Sequence, residues 1–166
     1  MMSHLLRTGA KGALLDEYLG AIRDLEAVLA TIPDRTLTKV ADENTDDENC
    51  RSIQTVLSHV VHAGYGYATS IYNLNGPALV RPEKQFHNTV ESYLKDLADM
   101  FAFTEKVFGH FEDDELERND NNVKIMTGWG QIYDIEQLTE HAIVHILRHR
   151  RQIERFVKEI QSENRS

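Results

Sequence analysis

The chain has 166 residues, of which 41% are apolar and 27% charged, with a formal net charge of -9. That length suits one domain with a real core, expected here over residues 1–166, and the composition is that of an ordinary globular protein. A net negative surface repels phosphate backbones and anionic lipid, so neither nucleic acid nor a membrane is expected as a partner. No apolar run approaches the ~20 residues that span a bilayer, and Met1 to Gly12 lacks a signal-peptide apolar core. The single Cys50 has no internal partner and reads as a small, semi-buried residue near a helix start. Together these features point to the cytoplasm.

Four amphipathic helices follow in chain order. Leu15, Tyr18, Leu19, Ile22, Leu25, Leu29 and Ile32 recur at helical spacing and predict a first helix from about Leu14 to Ile32, ended by Pro33. The polar stretch from Asp34 to Asn49 reads as a long exposed loop, and its acidic cluster, Asp42 to Glu48, lacks calcium-loop spacing. Ser52 is a good N-cap for a second helix reaching about Leu74, with Ile53, Val56, Leu57, Val60, Gly64, Tyr67 and Ile71 facing inward. Tyr67 is expected in the core. Asn75-Gly76-Pro77 stops this helix, and an extended connection leads to about His87. Asn88 with Glu91 predicts a capping box for the third helix, whose buried stripe is Val90, Tyr93, Leu94, Leu97, Phe101, Val107 and Phe108. Asp113 to Gln131 reads as a loop with a short hairpin. Asp134 and Gln137 then cap the fourth helix, with Ile135, Leu138, Ala142, Ile146, Ile153, Phe156 and Ile160 as its stripe. The fold class is all-α, a four-helix bundle.

Three of the eight histidines, His141, His145 and His149, stand four apart on the fourth helix. Residues at i and i+4 share a helix face, so two such imidazoles can reach one ion. Three cannot, because i to i+8 spans about 12 Å along a straight helix. At ~100° per residue, His149 lies within the apolar stripe, His145 near its edge and His141 furthest from it. The inward pair is therefore His145 and His149. A third ligand must come from another helix. His59 sits nearer the inner face of the second helix than His62, which projects almost opposite. Three neutral imidazoles leave an open position, where a metal acts as a Lewis acid or lowers the pKa of water. Such ligands suit zinc, nickel, copper or iron, and spacing does not choose among them. The competing readings are a closed metal site that only stabilises the fold, and histidines that serve as core or surface residues with no metal.

The string His141-x-x-x-His145-x-x-Arg148-His149-Arg150-Arg151-Gln152-Ile153 resembles the fourth-helix signature of the DinB-like (damage-inducible, YfiT-like) four-helix superfamily. That pattern usually ends His-Arg-Gly-Gln-Ile, and here Arg151 replaces the glycine. Val56-Leu57-Ser58-His59-Val60-Val61-His62-Ala63 is similar to the family's second helix, and Trp129-Gly130-Gln131 before Asp134 matches one of its branches. The resemblance implies an up-down-down-up bundle, a metal on His59, His145 and His149, and a homodimer. It also implies transfer of low-molecular-weight thiols or isomerisation of thiol-dependent substrates, and a metal that activates water or a thiol makes hydrolysis or thiol S-transfer of a small molecule the expected reaction. The alternative is a non-catalytic metal-binding bundle in a stress response. His62, Glu140 and His141 are candidates for orienting a ligand or touching substrate, with plain helix surface as the other reading of Glu140 and His141. Arg148 is the best of the local arginines for an anionic substrate, with a solvated basic face as the other reading; Trp129 either lines the mouth of the site or packs in the core; and no general base is assigned.

Overall fold

A computed structural model describes residues 6–76 and 78–163, with the side chain of Glu163 left out. The predicted helices are present as α1 (Gly9–Leu29), α2 (Ile53–Tyr72), α3 (Val90–Phe108) and α4 (Ile135–Glu163). A two-stranded antiparallel hairpin, β1 (Ile125–Met126) and β2 (Ile132–Tyr133), precedes α4, with Ile125 opposite Tyr133. No described helix is long and apolar enough to cross a membrane.

Side-chain contacts fix the helix directions. Tyr93 near the start of α3 bonds Ser58 near the start of α2, and Tyr72 at the end of α2 packs on His110 just past α3. These two helices are therefore parallel. Tyr18 of α1 meets Met100 and Phe101 of α3, while Lys11 reaches Phe111, so α1 and α3 are antiparallel. Cys50 lies against Gln152 and Tyr67 against His141, which makes α2 and α4 antiparallel. The order is up-down-down-up. Parallel neighbours cannot be joined by a tight turn, so residues 73–89 must run back along α2, a helix of about 30 Å.

The core is built from the predicted stripes. Leu25, Leu29, Ile53, Val56, Leu57, Tyr93, Leu97, Ile135, Ile153 and Phe156 are fully buried. Each such side chain contributes roughly 1.5–3 kcal/mol relative to exposure. Gly64 lets Met100 of α3 pack close against α2, since a Cβ there would lie 2.5 Å from the Met100 sulfur.

Several boundaries differ from the sequence reading. Helix α1 begins five residues earlier than predicted, because a distant carboxylate caps it. Asp113 accepts hydrogen bonds from the Ala10 and Lys11 amides, at 3.0 and 3.1 Å. Gly9 makes this possible. Its φ is +78°, and a Cβ would fall 2.0 Å from the Asp113 oxygen. The α3 cap is Thr89, whose hydroxyl accepts from the Ser92 amide, and not Asn88, whose side chain is taken up by Gln54 of α2. The loop after α1 is exposed over much of its length, but Leu37 is fully buried and Val40 bridges to Ser52. The predicted caps of α2 and α4 are formed. Ser52 and Thr55 complete one capping box, and Asp134 and Gln137 the other.

Candidate metal centre

Helices α2 and α4 cross with their histidines facing one another. His145 and His149 are each only 7% exposed, and His59 is partly buried. His145 Nε2 lies 2.9 Å from His59 Nε2 and 3.2 Å from His149 Nε2. One nitrogen from each residue can be chosen so that all three lie within 4.8 Å of one another, a spacing that could hold a metal ion. Tetrahedral ligands at ~2.0–2.1 Å from zinc stand about 3.3 Å apart, close to two of these separations.

The protonation chemistry also suits a cation. Burial, then the charge of neighbouring His149, pushes His59 down to about 4. Burial, His149 and His59 push His145 down to about 2, and burial lowers His149 as well. All three are neutral imidazoles at pH 7. His149 Nδ1 donates to Gln152 Oε1 at 2.8 Å, which in a neutral ring leaves Nε2 as a bare lone pair. His145 Nε2 faces two ring nitrogens and can share a proton with only one of them. Buried lone pairs turned on one another are unfavourable unless a cation occupies the space between them.

Of the other candidates, His62 faces Arg81 and Lys84 outside this cluster. His141 is not among the three converging donors. It stacks on Trp129 with ring centroids 5.0 Å apart and packs edge-on against Tyr67. Glu140 is exposed beside Ala10 and Glu17 of α1, away from the imidazoles. Arg148 is exposed, and its charge helps hold His141, His145 and His149 neutral. Cys50 is semi-buried as expected. Its thiol lies 3.5 Å from Asp47 and 4.0 Å from Gln152, and burial pushes its pKa up, against a reactive thiolate.

The centre opens into a cavity of about 400 Å³, lined by His59, Tyr67, Thr69, Arg81 and Trp129 among others. Tyr67, expected in the core, packs half-buried against it and also lines the cavity wall, 5.7 Å from His145 between ring centroids. Burial pushes its phenol up to about 12, so it stays a neutral donor. Trp129 is 50% exposed at the cavity and donates its indole N–H to Gln131.

The profile of the DinB family matches residues 1–160. This chain belongs to the DinB family. A crystal structure of a conserved protein from Enterococcus faecalis has a similar fold, with a TM-score of 0.65 at 13% identity over 94% of this chain and 99% of that one. At that identity the likeness speaks to the fold alone. No curated protein gives a significant sequence match.

Within this DinB-family chain, sequence reasoning missed Gln152 as the partner of His149, although i+3 spacing on one helix face was a usable signal. It also missed Thr69 and Arg81. Their proximity arises only when residues 73–89 fold back along α2.

Proposed function

We propose that this is a metal-dependent enzyme, a hydrolase or a thiol S-transferase, with a divalent zinc, nickel or iron ion on His59, His145 and His149. The observation that carries this reading is the convergence of three neutral imidazoles beside a cavity of about 400 Å³, a size suited to small ligands. Such an ion supplies Lewis acidity and lowers the pKa of a water or thiol. The chain's own residues do the rest. Gln152 holds the His149 tautomer, Tyr67 offers a neutral phenol donor, and Arg148 and burial keep protons off the imidazoles. Among the described residues three donors converge, and three instead of four favour an open site over a closed structural one.

The test is elemental analysis of the purified protein and of His145→Ala. A stoichiometric transition metal, lost in the variant, is expected, and unchanged metal content in His145→Ala refutes the ligand assignment. A screen of thiol conjugation and ester or amide hydrolysis, with and without chelator, then reads the chemistry. Chelator-insensitive turnover refutes the metal's role. If the protein binds metal but turns over no substrate, the reading becomes that of a non-catalytic metal-binding bundle in a stress response. The homodimer implied by the family resemblance is part of the same proposal. The half-exposed Val144 beside Ile143 and Leu14 on the α1–α4 face supports it, and light scattering of the eluted protein measures it.

A further inference from the structure

The wall of the cavity carries an unsatisfied polar group that the three imidazoles do not explain. Thr69 lines the cavity, is 6% exposed, and its hydroxyl has no hydrogen-bond partner. Buried helical threonines usually return this proton to the carbonyl one turn back. Thr104 does so to Met100 at 3.0 Å and Thr139 to Ile135 at 2.7 Å. Thr69 breaks that habit on the cavity wall, where its Oγ1 is buried and unpaired.

A cation stands on the same wall. Arg81, from the segment that runs back along α2, lines the cavity and forms no ion pair with a described carboxylate. Its guanidinium lies over Gly66, where a Cβ would come within 2.8 Å of Nη1. A mid-helix glycine costs up to ~1 kcal/mol relative to alanine, and here it gives the guanidinium room against the helix. Ile125, Leu138 and Trp129 give the same lining apolar surface.

We propose that this cavity binds a small carboxylate with an apolar body, the carboxylate held by Arg81 and the Thr69 hydroxyl and the body against Trp129 and Leu138. One guanidinium balances one negative charge, and it does so in a chain whose net charge of -9 resists more highly charged anions. The proposal deepens the metal-enzyme reading, on which it rests for what happens next to the bound carboxylate, by naming the substrate class.

Trp129 is the only tryptophan and sits at the cavity, so its fluorescence reports binding directly. The probes are 3-phenylpropanoate, its neutral amide and inorganic phosphate, titrated into zinc-loaded and chelator-treated protein. Saturable binding of the carboxylate is expected in both forms. It should be at least about tenfold weaker for the amide, for Arg81→Leu and for Thr69→Val, since a hydrogen bond to a charged group is worth that much. Thr69→Val should at the same time keep or raise the melting temperature, because it removes an orphaned buried hydroxyl. A merely structural threonine would instead lower it.

Equal binding of the amide, phosphate binding as tight as the carboxylate, or indifference to Arg81→Leu and Thr69→Val overturns the proposal. Carboxylate binding that needs zinc and ignores Arg81 also overturns it, while leaving the metal centre standing. Arg81-dependent binding to a protein that elemental analysis finds metal-free supports the carboxylate site and removes the metal reading.

Discussion

Replacing Gln152 by leucine should weaken zinc binding without unfolding the bundle. The Gln152 carbonyl accepts the Nδ1 proton of His149 at 2.8 Å, and His149 is 7% exposed. That bond fixes the tautomer in which Nε2 is free to coordinate. With leucine there, the Nδ1–H loses its partner in a site with little access to water, and the ring gains reason to rotate or to move its proton to Nε2. Losing a partner of this kind costs about 10- to 100-fold in metal affinity, or ~1.4–2.8 kcal/mol at 1.4 kcal/mol per decade. Competition against a chromophoric chelator at pH 7.5 measures it, with circular dichroism as the check on folding. Gln152→Glu, which keeps an acceptor at the same reach, should retain affinity near the parent's. Cys50→Ala controls for the 4.0 Å contact between the thiol and the same oxygen and should change little. If Gln152→Leu binds zinc as tightly as the parent while His145→Ala does not, the tautomer argument is wrong.

Asp113→Ala should remove the long-range cap on α1 and cost about 1–2 kcal/mol, read as a lower urea midpoint, and an unchanged midpoint would show that the two amide contacts carry no stability. His141→Ala should leave metal content intact but change the Trp129 emission through loss of the 5.0 Å stack; metal loss in that variant would make His141 a ligand. The metal-free protein should lose stability as the pH falls below 6.5. His59 at about 4 and His145 at about 2 titrate far below the unfolded value, so the unfolded chain binds more protons in that window. Stability is then fully present above pH 6.5 and declines on acidification toward the folded values. The loss is up to ~1.4 kcal/mol per pH unit for well-buried His145, and less for the more exposed His59, where solvent screens the charge. Urea melts of chelator-treated protein at pH 7.5 and 5.5 test this, and equal midpoints would contradict neutral buried imidazoles.

Local periodicity carried the four helices, their caps at Ser52 and Asp134, and the inward bias of His145 and His149, because each depends on neighbours within one or two turns. The exceptions trace to partners far away in sequence. The start of α1 depends on Asp113, more than a hundred residues on. Asn88 lost its capping role to Gln54. Tyr67 carries the right helical angle for the core, yet the hairpin and the segment carrying Arg81 leave a void in front of it. A helical wheel shows which way a side chain faces but not whether anything fills the space beyond.

The chain direction of the bundle connects these misses to the cavity. An up-down-up-down bundle closes every connection with a short turn and leaves the helix seams bare. Here α2 and α3 are parallel, so residues 73–89 must travel back along α2, and Arg81 and Lys84 reach the vicinity of His59 and His62 by that route. The connection between α3 and α4 brings the hairpin and Trp129 to the same cavity. The helices place the three imidazoles, and the long connections supply the walls that turn three converging nitrogens into a site with room for a ligand. Arg81 and Trp129 can therefore change with little effect on the bundle, while exchanging His145 or His149 for a larger apolar side chain would disturb both the core and the centre.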